Sequence, residues 1–157
     1  MSEVRRPRST PASDEASPAL SPSPSSEAVS QRMHRQRRSD TEPEMALRRD
    51  IHRRGLRYLV DAALPVIGLG RRRADLLFTR RRVAVFVDGC FWHACPQHAT
   101  WPKSNDTWWA TKLRGNVRRD RDTDARLAEA GWLSLRVWEH EDAVAAADRV
   151  ELAVRAR

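Results

Sequence analysis

The sequence predicts a single α/β domain, and three observations carry that prediction. Residues 83–87 are a continuous apolar run, Val-Ala-Val-Phe-Val, ending in Asp88-Gly89, as a buried strand would. A second apolar run at 74–78 precedes it across the charged stretch 79–82, so the two read as a hairpin. A helix-period segment at 113–130, a third apolar run at 132–138 and an Ala-rich segment at 144–154 complete an alternation of strands and helices.

The elements follow in order. Thr41 as N-cap and Glu44 three residues on form a capping box, with Leu47, Ile51 and Met45 as the buried stripe and Gly55 as the stop. Residues 56–60 read as a short strand. Pro65, Gly68, Gly70 and the run Arg71-Arg72-Arg73 mark 62–73 as a loop. Asp75 stands near the start of the 74–78 strand and Asp88 just past the end of 83–87. Residues 88–112, with Pro96, Trp101, Pro102, Trp108 and Trp109, read as a long irregular region. Leu113, Val117 and Leu127 are the apolar positions of the next helix, which Gly131 ends, and Asp120 and Asp124 lie one turn apart on it. Leu133, Leu135 and Val137 supply the following strand. Val144, Ala147, Leu152 and Val154 are the packing positions of the final helix.

Of the 157 residues, 1–28 are Ser, Pro, Ala and charge with five prolines, a tail with too little apolar surface to fold. Residues 29–40 form a basic arm carrying Arg32, Arg35, Arg37 and Arg38, able to order on a polyanion. Residues 41–157 are the folded domain, long enough for one core. The net charge is +8, nearly all of it on the folded body, which points toward nucleic acid. No signal-peptide pattern or bilayer-length apolar run is visible, so the expectation is a cytoplasmic protein, nucleoid-associated and with no membrane partner. In that compartment the only cysteines, Cys90 and Cys95, point to metal rather than to a disulfide.

Three constellations could carry chemistry. Cys90-x4-Cys95-x2-His98 offers three N/S ligands of the kind tetrahedral zinc takes, and His140, just past a strand, is a candidate fourth. The alternative is two buried thiols and surface histidines. Asp75 and Asp88 are strand-end acids that could hold Mg²⁺, with His93 as a base near neutral pH. The alternatives are a salt bridge from Asp75 to Arg71, Arg72 or Arg73, and a zinc-ligand or core role for His93. Phe91, Trp92 and Trp109 could wedge into a base stack, or simply pack in the core.

Asp88-Gly89-Cys90-Phe91-Trp92-His93, Cys95-Pro96, His98, Asn116-Val117-Arg118-Arg119-Asp120-Arg121, Gly131-Trp132 and Val137-Trp138-Glu139-His140 together resemble the very short patch repair (Vsr) DNA mismatch endonucleases, over about residues 30–142. The resemblance implies a restriction-endonuclease-like mixed β-sheet flanked by helices, with a structural zinc site. It implies a Mg²⁺-dependent enzyme that nicks one strand of double-stranded DNA, 5′ to the thymine of a T:G mismatch left by 5-methylcytosine deamination. By position, Asp75 matches the Mg²⁺-binding aspartate and Val87 a residue whose backbone carbonyl reaches the metal. His93 matches the general base, Asp120 an acid supporting the metal's water, and Glu44 an N-terminal glutamate near the site. Asp88 stands where relatives carry histidine, and is an extra candidate ligand. Phe91, Trp92 and Trp109 match intercalating aromatics, and Cys90, Cys95, His98 and His140 the Zn²⁺ positions. Arg35, Arg37 and Arg38 are expected to contact DNA. A monomer is expected, with mismatch-repair proteins as candidate further partners. Two rival functions share these residues: a restriction-type endonuclease on unmismatched DNA, and a catalytically inactive zinc-stabilised DNA-binding module.

Overall fold

The computed structural model describes residues 40–98 and 105–157. The expected tail 1–28, all of the basic arm before Asp40, and Trp101 and Pro102 lie outside the described residues. The described elements are α1 (Glu42–Arg53), β1 (Leu59–Ala63), β2 (Arg73–Phe78), β3 (Val83–Asp88), α2 (Asp106–Glu129), β4 (Leu133–Trp138) and α3 (Ala143–Arg155).

The four strands form one sheet in the order β1-β2-β3-β4. β1 and β2 pair antiparallel, β2 and β3 pair antiparallel as the predicted hairpin, and β4 runs parallel to β3, from Val83↔Leu133 to Asp88↔Trp138. The sheet is therefore mixed. β3 is central and apolar on both faces, which is why its sequence is continuous rather than alternating.

One face buries Leu76, Phe78, Val83, Val85 and Val137 against Leu47 and Ile51 of α1 and Ala146, Ala147, Val150 and Val154 of α3. The other buries Leu77, Ala84 and Phe86 against Leu127 of α2, together with Leu64 and Leu69 of the β1–β2 loop. Helices thus cover both faces, as a sheet apolar on both sides requires.

Several local expectations shift. The first strand is Leu59–Ala63, not 56–60, because Gly55 (φ 77) and Leu56 still belong to the end of α1, where Leu56 N–H donates to the Ile51 carbonyl. Arg73 already pairs in β2, which shortens the expected 62–73 loop to 64–72. The expected 88–112 irregular region is also shorter, because α2 begins at Asp106 and carries Trp108 and Trp109 in its first turn. Aromatics near a proline resemble a loop in sequence; here Trp109 packs against Phe91 and Trp92, and Trp108 against Trp109, within a helical turn. In α3 the Asp142 side chain accepts the N–H groups of Val144 and Ala145, and this cap sets the register. Ala146 and Val150 face the core, whereas Val144 and Leu152 are exposed. Met45 is also exposed. The Thr41 capping box does not form: Thr41 is the N-cap, but its Oγ1 donates to the Glu44 carboxylate, which accepts Asp40 N–H instead of Thr41 N–H.

Candidate active site and metal centre

β2 and β3 keep ladder pairing from Phe78↔Val83 to Leu76↔Val85 and then separate. Beyond that point Val87 N–H would lack a partner on β2. The Asp75 carboxylate supplies one, accepting it through Oδ2 at 2.7 Å. The fork therefore points a carboxylate and the edge of β3 into one cleft of about 400 Å³. Glu44, Asp75, Val87, Asp88, His93 and Asp120 all line it. Burial pushes the Asp75 carboxyl up to about 6, with the charges of Glu44 and Asp88 adding to the rise and the Val87 hydrogen bond opposing it. The suggested salt bridge from Asp75 to the neighbouring arginines does not form: Arg72 pairs with Asp122 and Arg73 with Asp61.

Glu44 is buried at the cleft wall but engaged. Its carboxylate accepts from Asp40 N–H (2.9 Å), Thr41 Oγ1 (3.0 Å) and Arg48 Nη2 (3.1 Å). It lies near enough to Asp75 to raise its pKa, and its oxygens are already occupied by α1's own first turns.

His93 follows the β3 end by five residues, and its Nδ1 sits 2.7 Å from Asp120 Oδ2 on α2. With Nδ1–H donating to that carboxylate, the free lone pair lies on Nε2. Burial alone would lower the imidazole pKa. The Asp120 hydrogen bond and the Asp88 and Asp120 charges outweigh it, and His93 rises above its ordinary value. Asp120 moves the other way: burial is outweighed by His93 and Arg136, and its carboxyl is held low.

Asp88 is buried and ion-paired. Both its oxygens lie 2.9 Å from Arg136 Nη1, and Oδ1 is 3.6 Å from His93 Nδ1. Burial nevertheless leaves its carboxyl raised. Arg136 also donates to Asp124 at 3.0 Å and to the Asp120 carbonyl at 3.4 Å, with its guanidinium 4.8 Å from the Phe86 ring centre. Sequence reasoning gave Arg136 no role. The signal was present in part: one arginine stands between Leu135 and Val137 in an apolar strand, and the ladder sets it opposite Phe86, two residues before Asp88.

Cys90, Cys95, His98 and His140 converge, their ligand atoms all within 4.8 Å of one another. Cys90 Sγ lies 3.0 Å and Cys95 Sγ 3.8 Å from His140 Nδ1, and Cys95 Sγ lies 3.9 Å from His98 Nδ1. Around tetrahedral zinc, with bonds of about 2.0–2.3 Å, such edges measure about 3.3–3.8 Å. The observed separations bracket those edges, so four donors of this kind could close on one ion. The thiols are not joined to each other. Burial and the Cys95 thiol push Cys90 up to about 11, so a thiolate here needs a cation beside it. Glu139, also passed over by sequence reasoning as a separate feature, accepts Cys90 N–H at 2.7 Å and ties the loop to the end of β4.

Phe91, Trp92 and Trp109 form a half-buried edge-to-face group, with centroid separations of 5.1–5.9 Å. Asn116 Nδ2 donates to the Trp92 carbonyl at 3.0 Å and fixes the group to α2, immediately beside His93. Arg71, Arg72, Arg73 and Arg119 line the cleft around its acids, so a basic rim surrounds an acidic floor. A larger groove of about 980 Å³ outside α1 supplies none of these acids. Two of its arginines are paired, Arg48 with Asp40 and Arg53 with Asp50.

Comparison with known proteins gives this architecture its class. Residues 25–98 match the family model described as DNA mismatch endonuclease Vsr. The type II nicking enzyme V.NaeI of Lentzea aerocolonigenes is 48% identical over 128 residues, spanning 80% of this chain and 77% of that one. V.NmeDIP, a type II nicking enzyme of Neisseria meningitidis serogroup C, is 36% identical over 73% of this chain and 78% of its own. The DNA mismatch endonuclease Vsr of Escherichia coli K12 is 36% identical over 64% of this chain and 62% of its own. The protein is a DNA endonuclease. It belongs to the Vsr family, and the resemblance carried by its motifs is borne out. A nuclease of this family is expected to use a divalent metal, and the Cys/His cluster is able to hold one. No helix among the described residues is long and apolar enough to cross a membrane.

Proposed function

We propose that the protein is a Mg²⁺-dependent, zinc-stabilised mismatch nickase that cuts one DNA strand 5′ to the thymine of a T:G pair. One observation carries the reading: Asp75, Asp88, His93 and Asp120 share one arginine-rimmed cleft, beside an aromatic group. The names of the relatives, nicking enzymes and a mismatch endonuclease, agree with it. The helix-covered mixed sheet with its forked hairpin is read as restriction-endonuclease-like.

The donor chemistry of each centre suits a different ion. Asp75 and the Val87 carbonyl present hard oxygen donors, which suit Mg²⁺; Cys90, Cys95, His98 and His140 present soft and borderline donors, which suit Zn²⁺. When bound, Mg²⁺ supplies charge neutralisation for the scissile phosphate and the leaving oxygen. His93 Nε2 takes the proton of the attacking water, and Asp120 holds the ring in that tautomer and stabilises the imidazolium. The P–O3′ bond breaks and the departing 3′-oxygen takes a proton from solvent, leaving 5′-phosphate and 3′-hydroxyl ends. Asp88, neutralised by Arg136, supports His93 rather than the metal, and Glu44 shapes the field around Asp75. The arginines of the rim, and Arg35, Arg37 and Arg38 of the arm, contact phosphates and position the duplex. Phe91, Trp92 and Trp109 enter the stack at the mismatch, where opening a step costs least.

The test is a nicking assay on end-labelled duplexes carrying T:G or C:G at one position, in several flanking contexts, with and without Mg²⁺. Single-strand cleavage confined to T:G and Mg²⁺ is expected. Equal cleavage of C:G duplexes would replace mismatch recognition with sequence recognition.

A further inference from the structure

The β1–β2 loop stands beside the cleft, and only its rim arginines, Arg71 and Arg72, enter the reading above. It is closed at its base, where Leu64 N–H donates to the Arg72 carbonyl at 3.0 Å. Inside it Leu69 N–H donates to the Val66 carbonyl and Arg72 N–H to the Leu69 carbonyl, at 2.9 and 2.8 Å. Leu64 and Leu69 are buried in the core on the α2 side of the sheet and anchor both limbs. Gly68, at φ 81, lies so close to α2 that a Cβ there would stand 2.8 Å from Arg126 Nη1. Arg72 reaches the same helix, donating to Thr123 Oγ1 and Asp122 Oδ2 at 2.6 Å each. The loop is thus held against the helix that carries Asp120.

At the tip of this braced loop stands Ile67, fully exposed at 100%. Single exposed apolar residues are ordinary on protein surfaces. The other large ones, Leu59, Val60, Met45, Val144 and Leu152, lie on β1, α1 and α3 and are all partly covered. Ile67 alone of them belongs to a loop whose following residues, Arg71, Arg72 and Arg73, line the cleft. Arg72 and Arg73 are committed to Asp122 and Asp61, whereas Arg71 is exposed with no carboxylate partner among the described residues.

We propose that this loop is a DNA-reading finger: Arg71 holds a backbone phosphate at the cleft mouth, and Ile67 makes an apolar contact with base pairs on one side of the nick. Four residues of chain reach at most about 14 Å. At about 3.4 Å per base pair, Ile67 therefore reads within about four pairs of the phosphate on Arg71. Having no donor or acceptor, its side chain touches a base through a thymine methyl group or by insertion at a base step. The finger adds a flanking-sequence preference to the mismatch. It rests on the reading of the cleft as a duplex-nicking site.

The experiment measures kcat/KM of the full chain and of its I67A and R71A variants on duplexes in which the four pairs on each side of the nick are varied. Thermal unfolding of each variant is the control. With I67A, the ratio between best and worst flanks on one side is expected to fall by roughly tenfold, with unchanged melting. With R71A, binding weakens equally for all flanks and the salt dependence loses about one phosphate contact. A second panel carries uracil for thymine. Loss of the wild-type preference there assigns the contact to the methyl group, and retention assigns it to step insertion; either supports the finger. An I67A flank profile identical to wild type would overturn the Ile67 contact, and an unchanged R71A salt slope the phosphate clamp. If wild type cuts C:G as well as T:G, mismatch recognition fails separately, and the I67A comparison is read on the matched panel.

Discussion

The Asp75 carboxylate accepts Val87 N–H at 2.7 Å, at the point where β2 and β3 stop pairing. A side chain there does the work of a missing backbone acceptor. The same bond anchors an acid whose titration burial moves up to about 6.

Asp75→Asn is expected to abolish nicking and to stabilise the fold. The folded-state pKa is raised from 3.8 to about 6, so the native protein favours the protonated acid. The cost of ionisation is absent below about pH 4 and fully present above about pH 6 to 7. Asparagine can still accept the Val87 bond through Oδ1 and removes that cost, worth about 1–3 kcal/mol at neutral pH. Thermal unfolding without added Mg²⁺ should show a higher Tm for the variant at pH 7.5 and no gain at pH 4. Equal Tm values at both pH values would show that Asp75 carries no such cost.

Nicking should rise with pH through a titration above the usual imidazole value. His93 must be neutral to take a proton, and Asp120 and Asp88 hold it charged to a higher pH than usual. Asp120→Asn removes one anion and the charged hydrogen bond, so the acidic limb should move to lower pH while the maximal rate drops by roughly 10²–10⁴. A pH–rate profile of single-turnover nicking checks both. An acidic limb unmoved in the variant would assign the titration to another group.

Arg136→Met leaves Asp88 buried without its cation. Removing one partner of such a pair costs about 3–5 kcal/mol, and toward the lower figure here because Arg136 is partly exposed. Asp88→Asn combined with Arg136→Met should recover much of that loss, because no charge is then stranded. Urea unfolding of the single and double variants measures the recovery; additive losses would mean that the two residues act independently.

Metal removal should loosen the loop from Cys90 to His98 and expose the aromatic group. One zinc per chain is expected by elemental analysis, and Cys95→Ser should lower both zinc content and Tm. Tryptophan fluorescence should change with it, since Trp92 belongs to that loop and Trp109 packs against it. A chain that is fully stable and active without zinc would make the cluster dispensable.

Much of this molecule was legible along the chain. The hairpin, the strand at 132–138, the helices and the Cys/His set follow from apolar runs, turn residues and ligand spacing, all of which act over short distances; that this strand runs parallel to β3 does not. Helix starts were harder. The first turn of α2 carries Trp108 and Trp109, and Trp109 packs against Phe91 and Trp92 from another segment, with Trp108 against Trp109. The register of α3 turned on a single cap at Asp142, which decided that Ala146 and Val150 go inward while Val144 and Leu152 do not.

What the chain determined by itself is which chemical groups are present and which segments carry them, because residue type and local period survive without a fold. What only the tertiary structure decided is which charges meet. Asp88 reads as a free strand-end acid until β4, running parallel to β3, brings Arg136 onto it. His93 has no visible partner until α2 sets Asp120 against Nδ1. Pairings across 27 and 48 residues of chain depend on sheet order and helix placement. Electrostatic energy falls with distance in space and takes no account of separation in sequence.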